Sequence, residues 1–169
     1  MERNDPSGHV EILDNRATLT FTRLLEHPPA AVWEAITSPE EFKSWYHAES
    51  AIDRRVGGLF EVFAGPFHWT GKILAWEPPR LFEYKHNHEP CKEMPSGADT
   101  LVRWELIPSG RGTTLKFTQS RLKSNYGFAP ATHVFLDRLD AYLGAQPLPD
   151  YSKRFHEIES LYPRWKAEE

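Results

Sequence analysis

From residue 17 to residue 120 the chain alternates apolar and polar residues in one short segment after another, and it then carries a single long stripe at helical spacing over 130–144. A strand buries every second side chain and a helix every third or fourth, so this order demands consecutive strands followed by one long helix. ATLTFTRLL, 17–25, sets threonines against apolar residues. RLFEYKHNH, 80–88, places Phe82, Tyr84, His86 and His88 on one face. LVRWELIPSGRGTTLKFTQS, 101–120, reads as a hairpin in which Val102, Trp104 and Leu106 share a face, as do Leu115, Phe117 and Gln119 on the return. Its turn carries Pro108, Gly110 and Gly112, and a glycine-rich loop that joins two strands is a turn rather than a phosphate cradle. Weaker strand signals lie at 50–54, at 56–65 with Phe60, and at 68–79. Strands in succession with short connections predict an antiparallel meander.

The long helix is PATHVFLDRLDAYLG, 130–144, with Phe135, Leu136, Leu139, Tyr142 and Leu143 in its stripe. Asp137, Arg138 and Asp140 are expected on its other face. Two shorter helices precede the meander in AVWEAITSPEEFKSWY, 31–46. Ser38-Pro39-Glu40-Glu41 reads as a fresh helix start, with Ser38 and Glu41 as a capping box. Val32, Trp33, Ile36 and Phe42 would anchor these helices, and Trp45 and Tyr46 would close the mouth of a gap left between sheet and long helix. Helices so short are marginal alone, so their rings must lie on a large apolar surface.

The expected organisation is a tail at 1–16 with a little extended structure at 10–13, an α+β domain at 17–146 with a curved antiparallel sheet of about six or seven strands on the long helix, and a helical extension at 147–169. Twenty basic against twenty-four acidic residues, with no basic run, argue against nucleic acid as partner. The polar start suggests no signal peptide, no apolar run suggests a membrane span, and a lone cysteine, Cys91, fits a reducing compartment; the expectation is a cytoplasmic protein.

AVWEAITSPEEFKSWY, RVGGLFEV, GKILAWEPPRLFEYKH, LVRWELIPSGRGTTLKF and LDRLDAYL resemble, in order and spacing, the group named for the C-terminal domain of the Hsp90 ATPase activator. That group belongs to the START and birch-pollen-allergen-like superfamily, called SRPBCC, and the likeness spans about 18–145. The resemblance implies a helix-grip fold and, in many members, a cavity for apolar ligands. Three positions depart from the pattern: His86 and Thr132 where tryptophan is frequent, and Gln119 where histidine is common. All three would face the cavity and make it more polar.

The candidate ligand-binding residues are therefore Trp45, Tyr46, Phe60, Tyr84, His86, Trp104, Phe117, Gln119, Phe135 and Leu139, around a small apolar or amphipathic molecule. His86 is the candidate acid or base should the cavity host a cyclase or dehydratase. His86 and His88, with Cys91 nearby, fall short of the three or four donors that zinc needs, so no metal or cofactor is expected. His88 is expected near a strand end, partly in water. Arg23 shares the parity of Leu19, Phe21 and Leu25 and, pointing inward, would need a carboxylate: an ion pair at the sheet edge is the favoured reading, an anionic ligand head the other. A co-chaperone role is the third reading. The aromatics of the extension, Tyr151, Phe155, Tyr162 and Trp165, would pack back on the domain or pair two subunits in a homodimer.

Overall fold

The computed structural model describes residues 5–125 and 127–168. The threonine-rich segment forms β2, Arg16–Leu25, with Ala17, Leu19, Phe21, Arg23 and Leu25 all buried. Two helices follow, α1 at Pro29–Thr37 and α2 at Pro39–Tyr46. The meander then runs through β3 (Glu49–Ile52), β4 (Leu59–Ala64), β5 (Phe67–Glu77), β6 (Leu81–His88), β7 (Ala98–Ser109) and β8 (Gly112–Leu122). The long helix α3, Phe128–Leu143, lies on the concave face, and α4, Tyr151–Ile158, follows it.

Among the described residues eight strands form one antiparallel sheet in the order β1-β2-β8-β7-β6-β5-β4-β3. The additional strand, β1 (His9–Leu13), falls in the segment expected to be a tail, whose residues 1–4 lie outside the described residues. It pairs with β2 from His9↔Thr20 to Leu13↔Arg16, around a two-residue turn in which Asp14 and Asn15 both have positive φ. Such a turn matches the twist of the strands it joins, and Asp and Asn tolerate it best after glycine.

Pro108 sits inside β7 rather than in the turn, which is Gly110-Arg111 between Ser109 and its partner Gly112. Leu106 makes the last bond toward β6, to the Arg80 carbonyl at 2.8 Å, so the missing N–H of Pro108 faces a side that β6 no longer covers. Gly71 is needed where β5 crosses close to β6: a Cβ there would overlap the Lys85 carbonyl.

Trp33 packs edge-on against Trp76, with ring centroids 5.0 Å apart, and Trp45 Nε1 donates to the Ala35 carbonyl at 2.8 Å, tying α2 to α1. Ser38 does occupy the N-cap of α2, but its side chain makes no cap bond. Glu41 instead accepts from Tyr142 Oη of α3 at 3.0 Å, so the predicted capping box is replaced by a tie between helices.

The polar side of α3 also departs from expectation, because α2 and α4 pack against this helix as well as the sheet. Only Asp140 is exposed. Arg138, 5% exposed, donates from Nε to the Trp45 carbonyl at 2.8 Å and places Nη2 2.6 Å from His47 Nδ1. Asp137 meets the inward-pointing Arg23: Nη1 donates to Oδ1 at 2.9 Å, while Arg154 of α4 donates to Oδ2 at 2.9 Å. The buried arginine thus has its carboxylate, held by two cations.

The extension folds back on the domain. Tyr162 Oη lies 2.7 Å from His133 Nδ1 and accepts from the Gly8 N–H at 2.8 Å, and Trp165 is half-buried, whereas Leu161 is exposed. Removing one member of a buried ion pair strands the other charge, which costs about 3–5 kcal/mol. Asp137→Ala should therefore lower the unfolding free energy by about that amount in urea titration; a loss within experimental error of zero would remove the network from the account of stability.

Candidate functional site

The register across the sheet defines the site. Phe82, Trp104, Phe117 and Phe21 stand side by side on β6, β7, β8 and β2, and rings fill that row. One step along, the row is Tyr84, Val102, Gln119 and Leu19. The next pairs His86 with Thr100. The side chains become smaller and more polar at each step, and Val102 in the middle strand leaves a gap between Tyr84 and Gln119. A cavity of about 430 Å³ occupies that gap, beneath α2 and α3.

Nine of the ten predicted residues line it: Phe60, Tyr84, His86, Trp104, Phe117 and Gln119 from the sheet, and Trp45, Tyr46 and Phe135 from the helices. Leu139 does not. It is fully buried one turn beyond Leu136, which takes its place on the wall. Trp45 is 1% exposed and forms wall, not lid. Glu93, the one fully exposed residue among the described lining residues, marks an opening by the loop that joins β6 to β7, with Met94, Phe67 and Phe128 half-buried beside it; Tyr46, Phe135 and Tyr151 are half-buried as well. Trp69 and Tyr151 are lining residues that sequence reasoning missed. The signal for Trp69 was its pairing with Val62 on a strand whose parity is hard to read through Gly71.

Tyr46 is held between Phe42 and Phe135, with centroid separations of 4.4 and 3.9 Å and both pairs stacked. Both its faces are covered, so it offers the cavity an edge and a hydroxyl. Burial, reinforced by Tyr84 and Tyr151, raises the pKa of that hydroxyl. Tyr84 Oη accepts from Trp104 Nε1 at 3.2 Å, which leaves the tyrosine's own proton available; burial raises its pKa too.

His86 stacks flat on Trp69, 4.2 Å between centroids and 4° between planes. Burial, with His88 nearby, lowers its pKa to about 3, so the ring is neutral at neutral pH. Thr100 Oγ1 donates its one proton to the His86 carbonyl at 2.7 Å. It can therefore only accept from Gln119 Nε2, 3.1 Å away, which fixes the amide and leaves the Gln119 carbonyl oxygen without a protein partner among the described residues.

His88 is buried, not half in water. Its Nε2 accepts from the His68 N–H at 3.1 Å and its Nδ1 donates to the Glu89 carbonyl at 2.6 Å, so both nitrogens are engaged by backbone. Among the described residues no group of three His, Cys, Asp or Glu side chains is placed to hold a metal ion. No helix of the described residues is long and apolar enough to cross a membrane.

A curved antiparallel sheet that grips one long helix over an apolar cavity defines a helix-grip protein of the SRPBCC type. Residues 26–144 match the family model for "Activator of Hsp90 ATPase homolog 1-like protein", and the chain belongs to that family. None of the curated proteins compared with it matches. Among solved structures, CalU16 from Micromonospora echinospora is 21% identical, with 92% of this chain and 95% of that one covered and a TM-score of 0.65. MLL2253 from Mesorhizobium loti is 24% identical, covering 78% and 99%, with a TM-score of 0.68. The Aha1 dimer from Colwellia psychrerythraea is 17% identical, covering 75% and 95%, with a TM-score of 0.60. At these identities the likeness is one of fold.

The histidines set a pH dependence. Burial lowers His86 to about 3 and, against the opposing pull of Asp137, His133 to about 4, both below the unfolded value of about 6.5. A depressed histidine contributes stability that is complete above the unfolded pKa and is lost as pH falls below it. Between pH 7 and pH 5 each should cost roughly 2 kcal/mol of unfolding free energy. Urea midpoints across this range should fall accordingly, and His86→Asn should flatten the slope; an unchanged slope would mean that His86 does not stay neutral.

Proposed function

We propose that the protein binds a small apolar or amphipathic molecule in the cavity between its sheet and α3. The observation that carries this reading is the tapering of the rows, which leaves about 430 Å³ open where a solid core would have placed a ring in place of Val102. The volume falls within the roughly 300–1,000 Å³ of small-molecule sites, and apolar walls with a few polar groups are their usual make-up. The family match and the shared fold of the solved structures support the reading.

A cyclase or dehydratase using His86 is the alternative. A base whose conjugate acid has a pKa of about 3 is too weak to accept a proton efficiently near pH 7, and this favours binding. His86→Ala should change affinity modestly in a binder and abolish turnover in an enzyme.

The family name favours a third reading, a module that binds the Hsp90 chaperone, and capture of the purified chaperone tests it. The Colwellia protein is described as a dimer; for this chain, the inward packing of Tyr162 and Trp165 directs any self-association to other surfaces.

The leading reading is tested by thermal shift against fatty acids, flavonoids, sterols and polyketide-like aromatics. A ligand at a hundred times its dissociation constant adds about 2.7 kcal/mol and should raise the melting temperature by roughly 5–10 °C. Thr132→Trp, which fills the cavity from α3, should retain the fold and abolish the shift. No shift across the panel, or a shift that survives the substitution, would count against the cavity as the binding site.

A further inference from the structure

Granting that the cavity is the binding site, we infer that it selects uncharged ligands that bear hydroxyl or carbonyl groups and rejects carboxylates, sulfonates and ammonium ions of the same shape. Among the described residues no lysine or arginine lies on the wall. Neither buried arginine lines the cavity: Arg23 is held by Asp137 and the Pro6 carbonyl, with only its Nη2 left without a partner among the described residues, and Arg138 is held by the Trp45 carbonyl and His47. The one formal charge among the described lining residues is Glu93, an exposed acid at the opening. An anion entering past Glu93 meets a like charge and then loses its water with no cation in return, and an isolated buried charge is among the costliest groups a protein interior can hold.

A cation would likewise lose its water with only ring faces to replace it, and an unpaired buried ammonium is costly in the same way, with two of the rings already covered. Both faces of Tyr46 are covered by Phe42 and Phe135, and one face of Trp69 by His86. Among the described residues no carboxylate stands inside the opening to compensate.

What the cavity does offer is a set of neutral polar groups at one level. The Tyr84 hydroxyl has a proton to give and the Gln119 carbonyl a lone pair to share, from the two strands that flank Val102. The Tyr46 hydroxyl has no hydrogen-bond partner among the described residues. His86 stands one step nearer the opening and, being neutral, presents one N–H and one lone pair. The deeper row, Trp104 and Phe117, is apolar. The ligand that fits carries its hydrocarbon or ring end inward and its hydroxyl or carbonyl groups level with Tyr84, Gln119 and His86.

The test uses two fluorescent probes of nearly equal shape, N-phenyl-1-naphthylamine, which is uncharged, and 1-anilinonaphthalene-8-sulfonate, which is anionic. Both are titrated into the full chain at pH 7. The uncharged probe should bind at least tenfold more tightly, and Thr132→Trp should remove its signal. Thr132→Lys, which sets an ammonium on the wall from a half-buried helical position, should tighten the sulfonate at least tenfold. Equal or tighter binding of the sulfonate to the unmodified chain, abolished by Thr132→Trp, would overturn charge selection while leaving the cavity as the site. Failure of both probes to bind, or binding indifferent to Thr132→Trp, would overturn the cavity reading and the selectivity with it. A trimethylammonium naphthalene probe that bound more tightly than the uncharged one would likewise overturn the proposal.

Discussion

The pairing of β2 with β8 organises the molecule. It joins residues 17–25 to residues 113–122, so that the first long strand becomes the neighbour of the last. The meander from β3 to β8 then runs away from β2 across the whole sheet, and β3 ends at the far edge. The chain leaving β2 must therefore cross the full width of the sheet before it starts β3. It makes that crossing as α1 and α2, over the concave face, which is why two short helices carry so many large rings. Trp33 meets Trp76 and Phe82, Phe42 meets Phe60, and Trp45 is sealed between the helices and the sheet. Each ring buries a large apolar area, and this burial holds two helices too short to persist alone.

The same crossing puts α3 in a closed environment and explains its buried charges. A helix lying on one sheet face would turn its polar side to water. With α2 and α4 also against it, Arg138 and Asp137 are enclosed and must find partners. Asp137 lies between Arg23 and Arg154, and Arg138 reaches the free carbonyl at the end of α2. That carbonyl is among those left unpaired at a helix C-terminus, so the guanidinium there satisfies the helix end while finding an acceptor for its own Nε. These contacts bind sheet, crossing helices and extension to one element. They also keep the arginines off the cavity wall.

Much of this was legible in the chain. Period-two parity alone put Tyr84, His86, Trp104, Phe117 and Gln119 on one face, and the register confirms that they stand in neighbouring rows. The missing pieces have physical reasons. β1 buries almost nothing, with only Val10 half-buried, so the sequence shows extended chain at 10–13 but not its pairing with β2. Leu139 and Leu136 belong to the same helical stripe, and periodicity says which residues face the sheet but not how far along the helix the cavity ends. Arg138 was assigned to solvent because an isolated helix has a wet side, and the elements that cover it lie far off in sequence. Tyr151 reaches the cavity from beyond the domain to which the pattern was confined.

The three positions where this chain departs from the pattern it resembles, His86, Gln119 and Thr132, all fall on the cavity wall. A tryptophan at either of two of them would occupy space that is now open, and a histidine at the third would bring a titratable ring to the row of Val102. In their place stand a smaller ring stacked flat on Trp69, an amide whose orientation is set by Thr100, and a short hydroxyl side chain. None carries a charge at neutral pH, and each retains a hydrogen-bonding group. Apolar packing on the deeper row would then supply affinity, and the shape and neutrality of the upper rows would supply discrimination. The fold is shared across the family, and on the proposed reading these three wall positions would set which ligand this cavity admits.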